Sequence, residues 1–235
     1  MSCKIHRAAE RGIAEHGWLH SRFSYSFAEY RNLNRMGFGA LRVINDDVIE
    51  AGSGFGMHPH QNMEIISIVT KGTLEHKDSA GNHGIIHAGE IQYMSAGKGV
   101  YHSEYAGVDE SAALFQIWIH PNQKGGEPLY DQRSFIHHDK TNKWIILVSQ
   151  DGREDSITIK QDAAIYSAEV EIGNTISVPP VQTNHGRLVF VIEGKIEING
   201  NLLEARDEIQ ITDKEEYTLL ALNESKVLLF DVPMH

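Results

Sequence analysis

A single cysteine stands in 235 residues. Cys3 therefore has no partner within the chain, an internal disulfide is excluded, and a reducing compartment is expected. Thiolate metal sites gather several cysteines, so Cys3 is not expected to bind metal. Basic residues are also few, 21 Lys+Arg against 32 Asp+Glu, for a formal net charge of −11. That sign repels phosphate, and no basic stripe with interleaved aromatics offsets it, which argues against direct nucleic-acid binding. No apolar run reaches the roughly 18 residues of a membrane span. The opening Met-Ser-Cys-Lys-Ile-His-Arg is too polar for a signal peptide. No membrane association and a cytoplasmic location are expected. Phosphate cradling lacks its Gly-Lys-Ser/Thr loop, and no Ser-His-Asp set is readable.

Helix signals are scarce too, and what fills the chain is alternation broken by turns. Leu41-Arg42-Val43-Ile44, Glu64 to Val69, Gly72 to His76 and Leu114 to Ile119 read as strands. Between them lie Asn45-Asp46-Asp47, Lys71-Gly72, Asp78 to Asn82 and Ala96-Gly97-Lys98-Gly99. Short strands at this spacing predict an all-β barrel or sandwich with few short helices, and Asp78 to Asn82 reads as a hairpin tip.

The pattern recurs. Glu64 to Glu75 resembles Leu188 to Glu197, and Gly89-Glu90-Ile91-Gln92 resembles Asp207-Glu208-Ile209-Gln210. Two barrels of one design are the economical explanation. The polar stretch between Gln123 and Lys143 is the expected joint, giving domains at 1–130 and 131–235. Carrying the register of Gly72 onto Gly194 sets Pro180 and Gln182 against His58 and His60. Carrying Glu90 onto Glu208 sets Leu220 and Leu222 against His102 and Glu104. The second domain is thus expected to lack metal ligands.

The chemistry gathers at two places. Gly56-Met57-His58-Pro59-His60 leads to Glu64, and Gly99-Val100-Tyr101-His102-Ser103-Glu104 follows downstream. Residues two apart on a strand share a face, so His58 pairs with His60 and His102 with Glu104. Three imidazoles and a carboxylate converging inside one barrel suit a divalent first-row metal. Alone, His-Pro-His fits a turn with exposed imidazoles equally well; the conjunction of two same-face pairs favours the metal. The chain's fourteen histidines are mostly scattered. His6, His16, His20, His76, His83, His87, His120, His137, His138, His185 and His235 read as surface or turn residues. Phe23, Tyr25 and Phe27 read as packing, Trp118 and Trp144 as core aromatics, and Arg42 as a solvated strand residue. Of Met36, Phe38 and Met94, at least two read as core.

Gly-x-x-x-His-x-His-x3-Glu followed by Gly72 resembles the first motif of the cupin superfamily, and Gly89 to His102 resembles the second. The gap from Glu64 to Gly72 and the turn before His102 are longer than in most cupins, as in the pirin family. Arg11-Gly12, His16-Gly17-Trp18-Leu19, Phe23 to Phe27, Met36 to Gly39, Leu41 to Asp47, Met94-Ser95-Ala96-Gly97 and His102-Ser103-Glu104 are similar to pirin-family text. The likeness is strong over residues 7–120 and weaker beyond, where the short C-terminal half resembles bacterial pirins with quercetinase activity.

The resemblance implies two tandem cupin domains and one divalent ion held by His58, His60, His102 and Glu104. Fe2+ leads, and Ni, Cu, Zn, Mn and Co are acceptable to the same donors. General cupin usage would make Glu64 the fourth ligand; pirin usage makes it Glu104, leaving Glu64 to support a histidine, to act as a base or to be simply a polar strand residue. The implied activity is quercetin 2,3-dioxygenation, opening the C ring of a flavonol with O2 consumed and CO released. The implied alternative, from another class, is an iron-dependent, redox-responsive regulator acting through a protein partner.

Overall fold

The computed structural model describes residues 3–234. His235, and the Met-Ser at the head of the polar start, lie outside the described residues. The chain divides into two compact units, one of residues 12–137 with 159–161, the other of residues 1–11, 138–158 and 162–235. The all-β expectation holds: among the described residues the helices are two short 3-10 turns, Ala8–Glu10 and Arg153–Asp155. No described helix is long and apolar enough to cross a membrane.

Strand β1 (Cys3–His6) belongs to the second unit, pairing with a strand far downstream. The first unit holds β2 (Gly12–Glu15), β3 (Leu19–Phe23), β4 (Leu41–Ile49), β5 (Gly54–His60), β6 (Glu64–Lys71) and β7 (Thr73–Asp78). It continues with β8 (His83–His87), β9 (Glu90–Ser95), β10 (Val100–Ala106), β11 (Ala112–Ile119) and β12 (Leu129–Ser134). They form a seven-stranded sheet, β12-β9-β6-β11-β4-β3-β2, and a four-stranded sheet, β5-β10-β7-β8. Leu19, Ile49, Val69, Ala112 and Leu114 from the first sheet pack with Leu74, Ile86 and Ala106 from the second.

The second unit repeats this plan with β13 (Ile145–Ser149), β14 (Ile157–Thr158), β15 (Ala164–Val170), β16 (Thr175–Val178) and β17 (His185–Glu193). Then come β18 (Lys195–Ile198), β19 (Asn201–Glu204), β20 (Glu208–Ile211), β21 (Tyr217–Ala221) and β22 (Ser225–Pro233). Its sheets run β1-β20-β17-β22-β15-β13-β14 and β16-β21-β18-β19. The order β16-β21-β18-β19 copies β5-β10-β7-β8, so the echo in the sequence is an echo in topology.

The ladders correct the register carried over from the sequence. Val178 pairs with Tyr217 as His58 pairs with His102, and Ile198 pairs with Leu219 as His76 pairs with Glu104. The counterparts of His58, His102 and Glu104 are therefore Val178, Tyr217 and Leu219, and Pro180 falls opposite His60. Turn lengths differ between the copies, and a count carried across a turn loses register whereas a ladder keeps it.

Alternation places the site. Along β10, Val100, His102, Glu104 and Ala106 are buried, while Tyr101 and Tyr105 are exposed. Along β7, Leu74 and His76 are buried. Between His102 and Glu104 the β10–β5 register shifts, so Glu104 pairs with Phe55 and not with Gly56. A bulge of this kind re-aims the side chains beside it. Gly54 is required at the same place, because a Cβ there would collide with the Glu104–Tyr105 backbone.

Candidate metal centre

His58 and His60 lie on β5 and His102 on β10, where His102 pairs directly with His58. One ring nitrogen from each of the three lies within 4.8 Å of the others. Ring centroids are 4.9 Å apart for His58–His60, 4.4 Å for His58–His102 and 4.8 Å for His60–His102. The His58 Nδ1–H donates to the Gly56 carbonyl at 2.8 Å, which leaves the lone pair on Nε2. The ring of His60 meets Trp118 edge to face at 4.9 Å.

Charge is disfavoured on these imidazoles. Burial, then the neighbouring His102 and His58, pulls His60 down to about 4, with Glu104 opposing. Burial, then His58 and His76, pulls His102 down to about 3, with Asp78 opposing. Near neutral pH these two rings are neutral and therefore competent ligands. Both ring nitrogens of His102 are buried and lack any hydrogen-bond partner. Orphaned nitrogens in a dry interior are costly. A cation takes up the lone pair on one of them, so the donor set fits a divalent metal by its own chemistry.

Glu104 is nearly fully buried, two residues beyond His102 on β10. One of its oxygens shares a 4.8 Å cluster with His102 and His76, not with His58 and His60 together. Three donors hold the carboxylate: Ser67 Oγ at 3.3 Å, Gln92 Nε2 at 3.4 Å and Gln116 Nε2 at 2.8 Å. Gln116 Oε1 in turn accepts from Trp118 Nε1 at 3.2 Å.

Of the three readings for Glu64, its contacts fit the polar strand residue and not the histidine partner or the base. Its carboxylate accepts from Tyr93 Oη, from Ser95 Oγ at 2.7 Å and from the Lys160 amide at 3.0 Å. Burial, with Glu64 second, raises the Tyr93 phenol well above its ordinary value, so it remains a donor. Asn62 turns the chain at φ 53 between His60 and Glu64, so the period of two does not carry from one to the other. Glu64 acts as a buried strut.

A cavity of about 590 Å³ opens on His58, His60 and Glu104. Its walls are mostly aromatic, from Trp18, Phe23, Phe27, Phe55 and Trp118, with a polar strip of Ser21, Asn45 and Asp47. Asp47 is buried and accepts from Ser21 Oγ. Phe23 and Phe27, expected only to pack, and Trp118, expected in the core, thus face the site. Phe38 and Met94 are buried as expected, whereas Met36 is exposed. Arg42 is half-buried, its Nη1 donating to the Ser26 carbonyl at 2.8 Å.

Two histidines expected at the surface are buried. His185 bonds Asp231 at 2.7 Å in the second unit, and His76 lies behind His102. The signal for His76 was present in Leu74-Glu75-His76-Lys77-Asp78, where the period of two sets Leu74, His76 and Asp78 on one face.

Comparison with known proteins agrees with this architecture. The Pirin family model matches residues 5–119, and the quercetinase C-terminal cupin domain matches residues 146–232. A protein of Escherichia coli strain K12 named quercetin 2,3-dioxygenase is 44% identical, over 97% of this chain and 98% of its own. A pirin-like protein of Caulobacter vibrioides is 40% identical, over 94% of this chain and 95% of its own. The crystal structure of a bacterial pirin from Escherichia coli in complex with nickel(II) superposes with a TM-score of 0.93 at 41% identity. It covers 99% of this chain and 100% of that one.

Proposed function

Because the chain belongs to the pirin family, with its two cupin domains, we propose that it opens the C ring of a flavonol such as quercetin, consuming O2 and releasing CO. One observation carries the reading: an aromatic-walled cavity of about 590 Å³ ends on two of the clustered histidines and on Glu104. A cavity of that size and character suits a planar small molecule. A redox-responsive regulator working through its surface has no need of one.

His58, His60 and His102 would hold the ion with Glu104, Fe2+ being the first choice and Ni, Cu, Zn, Mn or Co acceptable. Such an ion supplies a Lewis-acid position that lowers the pKa of a bound hydroxyl and a redox-capable partner for dioxygen. The chain supplies the rest. Trp18, Phe55 and Trp118 offer apolar surface to the ring faces, and the Asp47 carboxylate offers an acceptor to a phenolic hydroxyl. Glu104 lines the cavity and takes the proton of the 3-hydroxyl. Its fixed carboxylate oxygens are ready to accept without rearrangement. Glu64 faces neither the cavity nor the donors and keeps its structural task. The aromatic wall presents apolar surface in place of water to the part of the ring it covers.

The test is an oxygen electrode. Protein loaded anaerobically with Fe2+ is expected to consume O2 and release CO when quercetin is added, and His58→Ala to abolish both. Failure of Fe2+, Ni, Cu, Zn, Mn and Co alike to support turnover would sink the proposal.

A further inference from the structure

One strip of the cavity wall holds more polar capacity than the scheme above uses. Asn45, Asp47 and Ser21 line it. Asn45 and Asp47 lie two apart on β4 and share its inner face, both almost fully buried. On the ladders Asn45 stands between Phe23 and Gln116, and Asp47 between Ser21 and Leu114. The strip thus starts beside Gln116, whose amide holds Glu104. An aromatic row of Phe23, Phe27 and Trp118, with ring centroids 5.3 and 5.2 Å apart, leads from the same strip to His60.

Polar groups in such a wall are costly unless a partner satisfies them. The Asn45 Oδ1 is buried and has no hydrogen-bond partner. An asparagine amide turns easily about its last torsion. With no donor holding Oδ1, the amide can meet a hydroxyl as acceptor through Oδ1 or as donor through Nδ2. Asp47 accepts from Ser21 Oγ, and the two oxygens of a carboxylate accept more than one donor. A phenolic hydroxyl both donates and accepts, so it complements these two side chains together.

We propose that Asn45 and Asp47 determine specificity, binding ring hydroxyls of the substrate other than the 3-hydroxyl. The inference rests on the flavonol reading above and names the kind of flavonol. It is one that carries hydroxyls on its outer rings, taken in preference to the parent compound that has the 3-hydroxyl alone. An apolar wall by itself would favour the parent, whose rings cost less to take out of water. A site built to bond a hydroxyl discriminates the other way, because the analogue lacking it leaves buried polar groups unpaired.

The probes are quercetin and 3-hydroxyflavone, which share the 3-hydroxyl and differ only in ring hydroxyls. Each is titrated without oxygen into the full-length protein loaded with Fe2+, and calorimetry reads the two dissociation constants. The wild type is expected to bind quercetin at least about tenfold more tightly. In Asn45→Leu and in Asp47→Asn that preference is expected to shrink to about threefold or less. Asp47→Asn keeps an acceptor for Ser21, and Asn45→Leu removes an acceptor that has no donor, so its unfolding temperature is not expected to fall. A wild-type preference near unity overturns the inference before any variant is made. A preference that survives in a folded variant overturns it as well, and if one variant does not fold the other decides. Oxygen uptake in air is read separately. Flavonols bound with this preference but not oxidised would sink the dioxygenase reading and leave the selection standing. Oxidation of both flavonols with an unaltered preference in the variants overturns the selection alone, and binding of neither overturns both.

Discussion

The two barrels share one strand order and fill their interiors in opposite ways. In the first, Glu104 rests in a cradle of Ser67, Gln92 and Gln116, with His102 and His76 beside it. In the second, the counterparts Val178, Tyr217, Leu219 and Ile198 join one apolar cluster. The cradle is gone as well. The ladder row of Gln92, Ser67 and Gln116 gives way, on the counterpart strands, to Ile209, Val189 and Leu229, all in that cluster. The lesson is that a buried ligand is never a single residue. A carboxylate inside a barrel requires donors on three neighbouring strands, and a copy that loses the ligand is freed to replace them all with apolar packing.

The sharpest way to break this comparison is to exchange the two interiors at one position. Leu219→Glu places a carboxylate in the second barrel without its cradle, and is expected to cost about 3–5 kcal/mol, as for an unpaired buried charge. Urea denaturation would read the loss. Glu104→Gln in the first barrel keeps the shape and one acceptor oxygen, for Ser67 and Gln92, and loses the acceptor for Gln116 Nε2, so the metal-free protein should lose only about 1–2 kcal/mol. If Leu219→Glu were tolerated as easily as Glu104→Gln, the cradle would have no energetic meaning.

Acid sharpens the same contrast. In the metal-free protein His60 stays neutral down to about 4 and His102 down to about 3, because burial opposes their charge. The unfolded chain takes up these protons near the ordinary imidazole value of 6.5. Between those limits the unfolded state binds more protons, so stability is present above 6.5 and falls as the pH is lowered towards 4 and then 3. Each unmatched proton contributes at most about 1.4 kcal/mol per pH unit. Thermal unfolding across this window is expected to show the decline, and His60→Val to flatten its upper part. The second barrel has Val178 and Tyr217 at the counterparts of His58 and His102, and those positions add nothing to the slope. A flat profile in the wild type would show that the imidazoles are better solvated than their burial implies.

Much of this was legible in the residues. The alternation in Leu41 to Ile44 and Leu114 to Ile119 announced strands, and the pairing of His-x-His with His-x-Glu announced donors on facing strands. What stayed hidden depended on turns and on contacts across the barrel. Asn62 put Glu64 out of phase with His60, and unequal turns shifted the second copy's counterparts to Tyr217 and Leu219. His76 reads as a surface or turn residue when taken alone, although Leu74 two residues before it marks an inward face. Gln116 could not be recognised at all, because a glutamine in an apolar strand carries no mark of which carboxylate it will meet.

Gln116 is therefore where the smallest and most specific effect is expected. Its amide joins the cavity wall to the donor set: Trp118 Nε1 donates to Oε1, and Nε2 donates to Glu104 Oε2. Gln116→Leu removes the shortest of the three bonds on Glu104 and leaves the Ser67 and Gln92 bonds in place. Loss of one such outer partner costs about tenfold in metal affinity, or roughly 1.4 kcal/mol. The indole of Trp118 loses its acceptor in the same step, so its fluorescence should shift while it still faces His60. Chelator competition and tryptophan emission together test the link, since a change in emission with unaltered affinity would mean that Gln116 serves the wall alone.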